Sequence, residues 1–159
     1  MTRDAIEHIR ACYESHRGEL YAYALSLTRS REAAEDAIHS AFRAVLQRPL
    51  PRELKPYIFR CVRNAAIDEQ RARGRREQYA ELFVIDENRN NGHDPDLQRQ
   101  LADLMQQLSD DERECIHLKT YSGFTFQEIG ELRGVPLNTA ASWYRRGLEK
   151  LREMMQEGQ

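Results

Sequence analysis

Apolar residues recur at three- and four-residue intervals over most of the chain, the period of α-helices with one buried face. From Asp4 to Thr28 the repeat places Ile6, Ile9, Tyr13, Leu20, Leu25 and Leu27 near one face. Gly18 is a local weak point, because glycine inside a helix costs about 1 kcal/mol relative to alanine. Ser30 is the expected N-cap of a second helix, with Glu32 in its first turn, where a negative charge complements the helix dipole. Its stripe is Ala34, Ala37, Ile38, Ala41, Phe42 and Val45, with Leu46 beside it. Arg48-Pro49-Leu50-Pro51 is too rich in proline to remain helical. A third helix is predicted from about Pro56 to Arg73, carrying Ile58, Cys61, Val62, Ala65 and Ile67 ahead of a basic end.

Residues 84–94 are polar and are expected to form a linker. Asp94-Pro95 then combines an N-cap with a proline at the first helical position, opening a helix with Leu97, Leu101, Leu104, Met105 and Leu108. Ser109-Asp110-Asp111-Glu112 and Thr125-Phe126-Gln127-Glu128 are capping boxes, in which the hydroxyl accepts a backbone N–H and the glutamate accepts one in return. The first opens a helix to about Tyr121, broken at Gly123. The second opens a short helix to Arg133. Gly134 supplies a turn, and a last helix runs from Pro136 or Leu137 to about Met155. No run alternates as a half-buried strand does, and Asn91-Gly92 lacks strand-like flanks. The fold class is therefore all-α. Two small helical domains are expected: an N-terminal three- to four-helix bundle over residues 1–80, a linker over 81–96, and a C-terminal helix-turn-helix domain over 97–159.

Charge sharpens this division. The chain has 159 residues and a formal net charge of only -2. Yet residues 52–76 carry 8 basic and 3 acidic groups, residues 77–114 carry 3 and 11, and residues 115–152 carry 6 and 3. Two basic blocks flank an acidic bridge, which points to separate surfaces with separate partners. The longest apolar run, Leu20 to Leu25, has six residues. A membrane span needs about 20, so no membrane helix is expected. Met1-Thr2-Arg3-Asp4 lacks the apolar stretch of a signal peptide, which gives a cytoplasmic expectation.

Candidate catalytic and metal chemistry is thin. The three cysteines, Cys12, Cys61 and Cys115, form no CxxC pair, against both a disulfide framework and a zinc knuckle. His8, Cys12 and His16 share a helix face at four-residue spacing but span about 12 Å, too far for one ion. Cys115 and His117 face different ways, and Cys61 and Cys115 suit small core positions. No phosphate-binding glycine loop and no Ser-His-Asp order is present. Neither an enzyme, nor a cofactor, nor a metal is expected.

The short helix, the turn at Gly134 and the last helix make a helix-turn-helix candidate. Asn138, Thr139, Ser142, Tyr144, Arg145 and Arg146 lie near the start of the second helix, where residues of an inserted helix meet base edges in the major groove. An ordinary helical hairpin with solvated arginines is the alternative from these residues alone. The stretch LSDDERECIHLKTYSGFTFQEIGELRGVPLNTAASWYRRGLEKLREMM, residues 108–155, resembles region four of bacterial sigma factors. LYAYALSLTRSREAAEDAIHSAFRAVLQ followed by YIFRCVRNAAIDEQRARGRR resembles region two of the same proteins. With nothing recognisable as a third domain between them, the chain resembles the small two-domain, extracytoplasmic-function group.

The resemblance implies a subunit that binds RNA polymerase core and directs promoter-specific initiation on promoter DNA; an anti-sigma factor is a further partner it leaves room for. It places Glu35, Asp36, His39 and Ser40 against the polymerase, although the family usually has an amide and an acid where His39 and Ser40 stand. It places the loop 48–55, with Arg52 and Lys55, and Asn64 at an extruded base of the downstream element. Tyr57 and Phe59 are both able to stack on bases, but their spacing lets only one face inward. Arg60, Arg63, Arg71, Arg73, Arg75 and Arg76 are expected on backbone phosphates, a solvated helix end being the plainer account of the last four. At the upstream element the resemblance implies Asn138, Thr139, Ser142, Arg145 and Arg146. Ala141 and Trp143 stand where the family usually has basic residues, and Trp143 is open to two roles, packing residue or apolar contact to a thymine methyl. Two other functions stay open: a stand-alone helix-turn-helix regulator that has lost polymerase recruitment, and a helical protein-interaction module without a DNA role.

Overall fold

The computed structural model describes residues 1–73 and 94–157, and among these every regular element is helical. The chain folds as two compact units, one carrying the first three helices and the other the remainder. The expected linker over 84–94 lies outside the described residues except for Asp94.

The first unit comprises α1 (Arg3–Thr28), α2 (Arg31–Leu46) and α3 (Leu54–Arg73). α1 runs unbroken through Gly18 and ends at Arg29, which adopts a left-handed conformation with φ 58° and ψ 24° and donates its N–H to Leu25 O. Ser30 is the N-cap of α2, its hydroxyl accepting from Ala33 N at 3.3 Å. The stripe of α2 is buried at Ala34, Ala37, Ile38, Ala41 and Val45, and these small side chains let α1 and α3 approach closely. Ile58, Phe59, Val62 and Ala66 come from α3, and Leu20, Tyr23 and Leu25 from α1. Tyr23 and Phe59 meet with ring centroids 5.5 Å apart; each aromatic buried in this way contributes about 1.5–3 kcal/mol. α3 starts two residues earlier than the sequence pattern suggests. Pro56 sits in its first turn, where the missing N–H would have no helical partner in any case.

The periodic face of α1 is corrected at two positions. Ile6 and Tyr13 are 41% and 37% exposed, although Ile9 between them is buried and Tyr13 lies edge-on against Phe42 of α2. Glu19 takes a buried place instead. Its carboxylate lies 3.5 Å from both His16 Nδ1 and Lys55 Nζ. A buried charge needs partners, and Lys55 ties α1 to the start of α3.

The second unit comprises α4 (Pro95–Met105), α5 (Asp110–Ile116), a π-helical turn (His117–Tyr121), α6 (Phe126–Arg133) and α7 (Leu137–Glu157). Asp94 caps α4 through Asp96 N at 3.0 Å, with Pro95 at the first position. Both capping boxes form as the sequence suggests, at Ser109/Glu112 and at Thr125/Glu128. Between α4 and α5 the buried Arg113 donates to Met105 O and Leu108 O, both at 3.0 Å, satisfying carbonyls at the end of α4. The predicted single helix to Tyr121 changes geometry at His117. Ser122 N donates to His117 O, a five-residue span that widens the last turn before Gly123. A pattern read at 3.6 residues per turn does not register such a change. Leu97 and Leu101 are exposed, while Met105, Leu108, Ile116, Leu118, Ile129 and Leu151 make the core.

Candidate nucleic-acid interface

Two polar surfaces emerge, one on each unit. On the first, Glu35 and His39 are exposed on α2, with Asp36 and Ser40 partly covered. Glu35 and His39 line a shallow groove of about 390 Å³ between α1 and α2, together with Tyr13, Arg17, Gly18, Tyr21 and Ile38. Gly18 thus lies on this groove. Tyr13 packs edge-on against Phe42, with ring centroids 5.0 Å apart.

The loop from residue 47 to 53 leaves Arg52 exposed, and on α3 Arg60, Asn64 and Arg71 are exposed while Arg63 is half-buried. Tyr57 is half-buried and Phe59 fully buried, so one aromatic faces in and the other is accessible. Tyr57 hydrogen-bonds Cys61, one turn along; burial pushes the Cys61 thiol up, and this bond and the nearby Arg48 and Arg60 only partly offset it. Lys55 is turned inward, onto Glu19 and 5.9 Å from the centre of the Phe59 ring. Arg73 closes α3, but its side chain, like Arg75 and Arg76, lies outside the described residues.

On the second unit α6 and α7 form the helix-turn-helix. Gly134 has φ +69°, a left-handed position that glycine takes without the penalty of a Cβ. Both Gly134 N and Val135 N donate to Gly130 O. The turn is tight enough that a Cβ on Gly130 would stand 2.7 Å from Val135 O. α7 buries Ala140, Gly147 and Leu151. At 3.6 residues per turn, Asn138, Thr139, Ser142, Arg145 and Arg146 fall within about 120° on the opposite face. Asn138, Arg145 and Arg146 are exposed, and Thr139 and Ser142 are partly covered.

Two aromatic contacts flank the buried line of α7. Tyr144 meets Phe126 with ring centroids 5.3 Å apart. Trp143 lies beneath Arg133, whose guanidinium carbon is 4.8 Å from the ring centre. Trp143 is thus packed on one side and only partly covered. The same guanidinium places Nη2 2.6 Å from Asp111 Oδ1 and Nη1 2.8 Å from Glu114 Oε2. Lys150 is held by the buried Glu112, at 2.8 and 2.9 Å from its two carboxylate oxygens. Burial alone would raise the Glu112 carboxyl, but hydrogen bonds from Lys150 and Ser109 outweigh it and hold it below the usual range. Cys115 is a core residue, its Sγ 3.1 Å from Ala140 O, and burial pushes its thiol up to about 11. Sequence reasoning missed the partners of Arg133 and Lys150 and the Lys55 contact of Glu19, since no local spacing announces contacts across helices.

Residues 12–76 match Sigma-70 region 2 and residues 98–151 match Sigma-70, region 4. The chain is 31% identical over 163 residues to RNA polymerase sigma factor CarQ of Myxococcus xanthus, covering 98% of this chain and 91% of that protein. The chain belongs to the extracytoplasmic-function group of bacterial sigma factors. A second relative, ECF RNA polymerase sigma factor SigL of Mycobacterium tuberculosis, is 29% identical over 164 residues, covering 94% and 89% of the two chains. The sigma factor RpoE of Bartonella quintana, solved in complex with the anti-sigma factor NepR, shares the fold at a TM-score of 0.76 and 22% identity, over 98% of each chain. As a sigma factor the chain directs promoter-specific transcription, and the family is not an enzyme class. No helix among the described residues is long and apolar enough to cross a membrane, and those residues hold no cluster of three or more potential metal ligands.

Proposed function

We propose that this sigma factor acts in the cytoplasm, docks on RNA polymerase core through α2, and contacts promoter DNA with α3 and α7. Glu35 and Asp36 make the polymerase contact, with His39 and Ser40 beside them. Polar and charged contacts on an exposed helix suit the orienting role of electrostatic complementarity. Tyr57, Asn64 and the loop after α2 receive a base of the downstream element, and stacking there contributes about 1–3 kcal/mol. Arg52, Arg60, Arg63 and Arg71 meet phosphates, and Lys55 anchors the loop on Glu19. Residues 1–80 and 97–159 serve as the two functional domains, and an anti-sigma factor is a further partner, the Bartonella relative being one that binds such a protein. The observation that carries the proposal is the single outward face of α7 that collects Asn138, Thr139, Ser142, Arg145 and Arg146. Its test is in vitro transcription with core polymerase and a promoter library. The expected result is initiation from promoters sharing two sequence elements, abolished by Glu35→Arg with Asp36→Arg. DNA binding without any polymerase-dependent transcript would instead identify a stand-alone regulator.

A further inference from the structure

Arg133 closes α6. Its side chain is 11% exposed, and it joins three helices at once. Asp111 and Glu114 on α5 hold its charge, and its guanidinium lies over the ring of Trp143 on α7. The Glu114 contact is a charge contact rather than an aligned hydrogen bond, so the guanidinium plane is set by Asp111 and the indole together. Arginine suits this place, since a planar guanidinium can pair with carboxylates and stack on an aromatic face while a lysine ammonium cannot do both. On the helical wheel of α7, Trp143 lies between the buried line and Thr139, at the edge of the outward face. A shift of the indole would therefore rotate Thr139 and Ser142 relative to a groove into which they reach.

We propose that Arg133 is the positioning residue of the DNA-reading helix: clamped to Asp111 and Glu114, it fixes the indole of Trp143 and so sets the angle at which α7 presents Thr139 and Ser142. This rests on the assignment of α7 to the upstream element. Arg133 touches no nucleotide in this scheme. Trp143 serves as the strut it grips, in place of a base or phosphate contact.

The test uses the full chain, first alone and then assembled with core polymerase on a promoter fragment selected from a library. Trp143 is the single tryptophan of the chain, so fluorescence of the free protein reports on it alone. Arg133→Lys keeps the positive charge but loses the planar stack, and its expected effect is greater quenching of Trp143 by acrylamide. In the assembled complex the same variant should lose about three- to tenfold in upstream-element affinity, the range of one cation–π contact. The slope of affinity against salt should stay unchanged, because no phosphate contact is removed. Trp143→Phe keeps an aromatic face and should retain most of the affinity, whereas Trp143→Leu should lose it and make a further Arg133→Lys change nearly silent. Unchanged quenching in Arg133→Lys, or unchanged affinity, would overturn the proposal. So would an affinity loss accompanied by a fall in the salt slope, which would make Arg133 a phosphate contact. A loss matched by a fall in circular-dichroism melting temperature in both Arg133→Lys and Trp143→Phe would reduce the contact to general stability and overturn it too. Arg145→Ala and Arg146→Ala are run beside these variants. If they leave the salt slope unchanged, the assignment of α7 itself fails, an outcome separate from any behaviour of Arg133.

Discussion

His117 offers a sharp perturbation, because it is only 2% exposed and sits in the π-helical turn, its ring 5.1 Å from that of Tyr121. Burial disfavours the charged imidazolium and pushes the group down from 6.5 to about 4. Above pH 6.5 the imidazole is neutral in both folded and unfolded chains, and its burial is not opposed by protonation. Below 6.5 the unfolded chain takes up a proton that the folded chain resists, so stability falls as pH drops toward 4. The loss is about 1.4 kcal/mol per pH unit inside that window, hence about 2 kcal/mol between pH 7 and pH 5. For a unit of this size, with a urea dependence of about 1–2 kcal/mol per molar, the unfolding midpoint should fall by about 1–2 M. Trp143 emission reads the second unit selectively, being the sole tryptophan. His117 is the only histidine among the described residues of that unit, and the lowered Glu112 carboxyl titrates below the pH 5–7 range compared. His117→Leu should flatten the pH dependence whatever it does to absolute stability. Equal midpoint shifts in wild type and His117→Leu between pH 7 and pH 5 would refute the reasoning.

Glu112→Ala removes one half of a capping box and the partner of Lys150, and should destabilise the second unit by about 1–2 kcal/mol at pH 7, measured by urea unfolding followed at Trp143; because the Glu112 carboxyl is lowered, this difference should persist above pH 4.5 and shrink as pH falls below it. Gly134→Ala meets no steric obstruction but must keep φ near +69°, and should cost about 1 kcal/mol in the same assay. Arg145→Ala or Arg146→Ala should each lower the salt slope of upstream-element binding by about one without changing which sequence is preferred, while Thr139 or Ser142 substitutions should change preference, at about 1–3 kcal/mol for each base no longer read. Glu35→Arg with Asp36→Arg should weaken co-purification with core polymerase while leaving the circular-dichroism spectrum unchanged.

Much of this architecture was legible because its determinants are local. Ser30, Asp94, Ser109 and Thr125 announce helix starts through hydroxyl or carboxylate caps within three residues, and all four cap helices in the structure. The left-handed turn at Gly134 is equally local, as is the stripe of small residues in α2. Burial was less legible where it depends on neighbours distant in sequence. Ile6 and Tyr13 continue the helical period of α1 yet stay exposed on either side of the buried Ile9, whereas Glu19 lies buried where Lys55 of α3 reaches it. The π-helical turn at His117 escaped because one added residue per turn leaves no mark on a short apolar pattern.

The candidate site was legible as residue types and much less so as available charge. Counting basic residues between 115 and 152 suggests six cations for DNA. In the structure Arg133 is held by Asp111, Glu114 and Trp143, Lys150 by Glu112, and Lys119 lies 4.7 Å over the Phe126 ring. Arg145, Arg146 and Arg152 remain exposed, and only the first two lie beside Ser142 on the outward face of α7. Under the proposed assignment the cations of this unit are divided between building the scaffold and meeting the nucleic acid, and only the second group would release counterions from DNA. Two phosphate contacts imply a salt slope near -2 for this helix, about a third of what six would give. If α7 reads the upstream element as proposed, so little non-specific attraction makes its binding depend on how accurately Thr139 and Ser142 are presented, the accuracy that the proposed grip of Arg133 on Trp143 would set.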